Sequence, residues 1–198
     1  MTTTKIRPVA DQLSLPLTVL AAGLFAAGLL SGWFQYLDRS PALARQVAGT
    51  SAWWQQLAVA VVAGAAFSYA RWRHRRGPGG EGDRLWLLAP LGQRAARRAA
   101  RTVRQAVRGQ SGLARALVAL APAGLICYCV WRAGEQVAGG LDPNFTVNAW
   151  GGPSYLGAMA CHYLDCCVLI AASAWLLDRL LLADPANASR APSRAERA

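Results

Sequence analysis

Four runs of about 20 mostly apolar residues constrain this chain more than any other feature, because about 20 helical residues are needed to cross a hydrocarbon layer of roughly 30 Å. They are LPLTVLAAGLFAAGLLSGWFQYL (15–37), WWQQLAVAVVAGAAFSYARW (53–72), LARALVALAPAGLICYCVWRA (113–133) and YLGAMACHYLDCCVLIAASAWLL (155–177). In lipid, backbone N–H and C=O groups have no water to bond, so such runs are satisfied as helices. The expected fold class is all-α: a polytopic membrane protein with four transmembrane helices. The hydrophobic fraction of 54% is more than a soluble core uses, and these runs contain the excess. The first run follows a basic start, as a secretory signal does, but it outlasts a signal core of about 7–15 residues and ends in Trp33, Phe34 and Tyr36. It is expected to remain as an uncleaved span.

Charge orients the spans, since arginine and lysine near span ends are retained on the cytoplasmic side. Residues 71–112 hold eleven arginines against Glu81 and Asp83, a net of +9. The 38–52 connection has Arg39 and Arg45 against Asp38, and the 134–154 connection has Glu135 and Asp142 with no basic residue. The central loop, 73–112, is therefore expected inside, together with a tail at 1–12, a second tail at 183–198 and both termini. The transmembrane domain spans 13–182, with 134–154 as an outer loop. The 183–198 tail is small, polar and proline-containing, a composition expected to be disordered. Trp33, Trp53, Trp54, Trp131 and Trp150 suit the outer interface, and Trp72 and Trp175 the inner one. All basic residues except Lys5 are arginine and alanine is abundant, a coding bias that points to a GC-rich genome and hence a bacterial plasma membrane.

Within the central loop, Arg94, Arg97, Arg98, Arg101, Arg104 and Arg108 recur at steps of three and four, which lays a basic stripe along one helical face. Ala96, Ala99, Ala100, Val103 and Val107 fall on another face. The expectation is a basic amphipathic helix on the inner membrane surface, anchored by Leu85, Trp86, Leu87 and Leu88, with the arginines attracting anionic lipid. An arginine stripe also suits nucleic-acid phosphates, but no stacking aromatics interleave it, so lipid is the preferred partner.

Small residues allow helices to approach closely in lipid. Gly28 with Gly32 forms a GxxxG pair, Ala60, Gly64 and Ser68 form a ladder in the second span, and Ala119 with Ala123 repeats the device in the third. These suit a compact bundle or a homo-oligomer equally. Pro122 removes a backbone hydrogen bond in mid-span and is expected to kink it.

The one stretch rich in chemistry is MACHYLDCC, 159–167. At about 100° per residue from Cys161, Asp165 falls near 40°, His162 near 100° and Cys166 near 140°, on one face; Cys167, near 240°, lies off it. A carboxylate facing lipid at mid-span costs about 2.5–3.5 kcal/mol on insertion scales, so this face is expected to point inward. Counting along the antiparallel third and fourth spans brings Cys127 and Cys129 to a similar depth. Three uses compete for the cluster of Cys161, His162, Asp165, Cys166, Cys127 and Cys129. The first is a structural clamp, with His162 bonded to Asp165 and cysteines as small fillers. The second is a thiol-redox or metal site, with His162, Cys161 and Cys166 as candidate ligands for a soft metal. No CxxC supports it: the spacings are Cys127-x-Cys129, Cys161-x4-Cys166 and an adjacent Cys166-Cys167. The third is a proton relay through Asp165 and His162. The outer loop, with Asn148, Trp150, Gly151, Gly152, Pro153 and Tyr155, is read as a tight interfacial turn, or else as a lid over the polar face.

The clamp is the preferred reading. It implies a non-enzymatic interaction, assembly or regulatory component without a cofactor, whose partners are anionic lipid at the inner face and another membrane protein or a second copy. Thiol-redox or metal binding and proton-coupled transport are the alternatives.

Overall fold

The computed structural model describes residues 12–76, 86–109 and 112–182. Among them the regular structure is helical: α1 (Leu15–Leu37), α2 (Trp53–Arg76), a 3-10 turn (Trp86–Leu91), α3 (Gln93–Val107), α4 (Gly112–Gly139), the short α5 (Pro143–Thr146) and α6 (Tyr155–Leu180). The 1–11 and 183–198 tails, and Leu85 of the expected anchor, lie outside the described residues.

Among the described residues, three helices are long and apolar enough to cross a membrane: α1, α4 and α6, with 23, 28 and 26 residues and mean hydropathy of 1.8, 1.9 and 1.6. The second expected span does form a helix, α2, but it is not among the three. Gln55 and Gln56 near its start and Arg71, Arg73, Arg75 and Arg76 at its end leave an apolar stretch of 57–70, about 21 Å long at 1.5 Å per residue. The third span runs farther than expected, unbroken through Pro122 to Gly139, so Glu135 belongs to the helix and not to the connection.

The helices pack in an order that the sequence order does not suggest. α1 lies along α4, α4 along α6, and α2 is packed only thinly, chiefly at α6. The α1–α4 seam is made by glycine. A Cβ on Gly28 would lie 1.9 Å from the Trp131 carbonyl oxygen, one on Gly32 2.0 Å from that of Glu135, and one on Gly134 2.1 Å from that of Phe25. Hydrogen in place of a side chain is therefore what lets the two backbones meet. Gly134 is the half of this device that only the fold reveals.

Burial is inverted relative to a water-soluble bundle. The buried apolar residues are Ala119, Cys129, Ala138, Ala158, Met159, Cys161 and Cys166, while Leu30, Phe34, Val61, Leu120 and Leu156 face outward. Water would drive the large side chains in; lipid leaves them free to face out and rewards close contact at small residues. Length, hydropathy and this inversion together fit a membrane protein.

At one end of the bundle, α3 docks across the starts of α1 and α4 and the end of α6. The Ser14 amide donates to the Leu91 carbonyl at 2.8 Å and the Gln93 amide to that of Gln12 at 3.0 Å, which ties the entry of α1 to the start of α3. Thr102 of α3 is buried and Ala95, Ala99 and Ala106, one or two turns from it on the same side, are half-buried; Val103 and Val107, on the apolar face expected to lie on the membrane, are exposed. The other end carries the 38–52 and 140–154 connections.

Candidate functional site

α6 presents its polar residues inward as its 3.6-residue period requires. Cys161, Cys166 and Ser173 are buried, His162 and Asp165 are half-buried, and Cys167 is exposed. Their partners differ from the expected ones. Asp165 does not pair with His162; its two carboxylate oxygens accept from Nε2 of Gln56 at 3.3 and 3.1 Å. Gln56, 4% exposed, is the buried residue of α2, so this link helps to join α2 to the bundle. His162 instead lies against Phe145 of α5, with ring centroids 6.3 Å apart.

The cysteines separate in the same way. Cys129 and Cys166 are both buried and lie close to each other across the α4–α6 interface. Cys127, two residues before Cys129 and so about 200° around the helix, lies half-buried on another side of α4. Cys161 sits under the loop that enters α6: a Cβ on Gly151, whose φ is +79°, would lie 2.5 Å from its sulfur. All five cysteines are free. Among the described residues no three His, Cys, Asp or Glu side chains converge to hold a metal ion.

A second buried polar group, which the sequence reading leaves in a loop, lies between α1 and α4. Glu135 is 2% exposed and accepts from the guanidinium of Arg132 on its own helix and from the Gln35 amide on α1. Arg132 in turn lies 5.1 Å from the centroid of Phe145. One chain of contacts therefore runs Gln35–Glu135–Arg132–Phe145–His162 through α1, α4, α5 and α6. The i,i+3 spacing of Arg132 and Glu135 was the available signal. Neighbouring Gln136 is 1% exposed, and its Oε1 has no hydrogen-bond partner.

Above this chain the two connections interlock. The Asn144 carboxamide accepts from the Ala44 amide at 2.7 Å and donates to the Ser40 and Ala42 carbonyls; that of Asn148 accepts from Val47 at 2.8 Å and donates to Arg45. One helical turn apart, the two asparagines hold the 40–47 segment as a neighbouring strand would. Asp142 caps α5 by accepting from the Asn144 amide at 2.9 Å, and Tyr155 donates to the Val137 carbonyl at 3.2 Å. The loop thus covers the polar face and also binds the other connection, which a tight turn would not do.

At the basic end, the arginine stripe divides. Arg98 donates to the Asp178 carboxylate and to the carbonyls of Asp178, Leu181 and Leu182, the last two at 2.9 and 3.0 Å, and so closes the C-terminus of α6. The buried Thr102 accepts from the Leu182 amide at 3.2 Å. Arg94, Arg97, Arg104 and Arg108 are exposed and Arg101 is half-buried. Carbonyls orphaned at a helix end attract a cation, which is why one arginine of the stripe is drawn into the fold.

No protein family matches this chain, and no curated protein and no solved structure is significantly similar to it.

Proposed function

We propose that this chain is a four-span component of a bacterial plasma membrane, with both termini inside, that works by holding membrane-embedded partners or a second copy of itself. The observation that carries the reading is α2: it is joined to the bundle through Gln56 and Asp165, while its apolar flank, including Leu57, Val61 and Val62, is uncovered. A helix of this kind needs lipid or another helix around it. Its short apolar stretch, extended by Trp53 and Trp54, is the fourth span of the proposal. The arginines of α3 give the orientation by the positive-inside bias, and Arg94, Arg97, Arg101, Arg104 and Arg108 attract anionic lipid there; Arg98 serves the fold. Elsewhere the ionisable groups inside the helices link one helix to another, as a scaffold requires.

Single-cysteine labelling with a membrane-impermeant maleimide tests the placement. Ala42→Cys reacts from outside, Arg73→Cys only after permeabilisation, and Val61→Cys only in detergent; the reverse order for positions 42 and 73 refutes the orientation. Native gels of mild-detergent extracts test the role, with a species larger than the monomer expected, and a monomer at every concentration, alone in lipid, counting against it. A thiol-redox role is the second reading, favoured by the Cys129–Cys166 contact. Five free thiols in protein isolated without reductant would remove it.

A further inference from the structure

The inner end of α2 gathers a second basic group, distinct from the stripe on α3. Ser68, Arg71, Trp72, Arg75 and Arg76 line a depression of about 350 Å³. Arg76 is held over the Trp72 ring at 4.4 Å from its centroid, and Trp72 stacks on Tyr69 at 5.8 Å. α2 contains no acidic residue, and among the described residues no carboxylate pairs with Arg71, Arg75 or Arg76. Guanidinium groups at i and i+4, with the Ser68 hydroxyl one turn before the first of them, present donors suited to a phosphate.

Position and face point to the same ligand. The Gly151 amide donates to the Ser51 carbonyl at 2.7 Å, which brings the entries of α2 and α6 together at one end of the bundle. The arginines lie at the opposite end of α2, directly after the apolar stretch that ends at Ala70. Taking Ser68 as zero at about 100° per residue, Leu57, Val61, Arg71, Trp72 and Arg75 fall within about 60° of it, whereas Gln56 is about 120° away on the side of α6. Leu57 and Val61 are 54% and 63% exposed, and beside them Gly64 has nothing within 4 Å of a built Cβ. One face of α2 thus carries a cationic pocket followed by an uncovered apolar track with a notch.

We propose that this face binds one anionic phospholipid, its phosphate held by Arg71, Arg75 and Arg76 and an acyl chain lying along Val61 and Leu57. The site rests on α2 being embedded in the membrane, which the Val61→Cys labelling decides separately. Charge complementarity and the joined head and tail surfaces select a lipid over a soluble phosphate.

Full-length protein in neutral detergent is titrated with phosphatidylglycerol or phosphatidylcholine, and bound lipid is read by native mass spectrometry. Phosphatidylglycerol is retained in preference, and Arg71→Gln with Arg75→Gln weakens it on the order of 25-fold, roughly fivefold per charge. Arg39→Gln with Arg45→Gln removes the same net charge at the other end and leaves binding unchanged. Should the glutamine pair fail to accumulate, Arg71→Lys with Arg75→Lys keeps the charge but loses the paired donors, and binding falls severalfold. Equal retention of the two lipids, an unaffected Arg71/Arg75 pair, or an equal effect of the Arg39/Arg45 pair overturns the site. Displacement by excess inorganic phosphate would assign the pocket to free phosphate and overturn the lipid occupant.

Discussion

Replacing Gly28 by alanine tests the reasoning about the bundle most directly. The added Cβ would stand 1.9 Å from the Trp131 carbonyl oxygen and 2.9 Å from the Glu135 amide nitrogen. Ordinary contact begins near 3.4 Å, so α1 and α4 must separate by about 1.5 Å if the displacement follows that line. Backbone atoms cannot rotate aside as a side chain can, which places the cost toward the upper part of the roughly 1–3 kcal/mol typical of overpacking. Alanine returns up to about 1 kcal/mol through helix propensity. The expected net loss is about 2 kcal/mol, or about 4–8 °C in Tm for a chain of this length. Gly23→Ala in the same helix and Gly64→Ala in α2 are the controls, because a Cβ at either meets nothing within 4 Å. Thermal unfolding in a fixed detergent, followed by tryptophan fluorescence, reads all three. A Gly28 variant as stable as the Gly23 variant would refute a glycine-mediated seam.

Glu135→Ala leaves the half-buried Arg132 guanidinium and the Gln35 amide without their acceptor and should cost about 1–3 kcal/mol, seen as lost abundance and a lower Tm; Glu135→Gln with Arg132→Gln should recover most of the loss. Asp165→Leu and Gln56→Leu each release α2, and a double-mutant cycle should return a coupling of about 1 kcal/mol; a coupling of zero would mean the contact holds nothing. Asn144→Ala with Asn148→Ala frees the 40–47 segment, so trypsin added to the loop side should cut at Arg45 faster than in the parent, while the unfolding temperature falls less than for Glu135→Ala. Arg98→Ala should destabilise the docked α3, and Arg104→Ala, whose hydrogen bond to the Ala100 carbonyl stays within its own helix, should not; equal melting of the two variants would refute the assignment of Arg98 to the end of α6.

The difference between these residues and their neighbours marks the limit of the sequence. The first, third and fourth apolar runs, the helix between Gln93 and Val107 and the inward turn of Cys161 and Cys166 were legible, because helical periodicity and apolar length act locally. Glu135 was placed in a loop because hydropathy falls near Gly134, although the helix continues. Val103 and Val107, read as the membrane-facing side of α3, are exposed, whereas Thr102 is buried and accepts from the Leu182 amide, a contact that the arginine stripe did not reveal.

By itself, the sequence determined an all-helical chain with runs long and apolar enough to cross a membrane, since these follow from backbone hydrogen bonding and transfer free energy summed over adjacent residues. Only the tertiary structure decided that Gly28 and Gly32 face the backbone of α4 while Gly134 faces that of α1, that Asp165 bonds Gln56 rather than His162, that Cys129 rather than Cys127 lies close to Cys166, and that Arg98 leaves its stripe. Each of those outcomes depends on which helix lies beside which and at what rotation. That is set by the closest fit among all the helices at once, and no local run of residues encodes it.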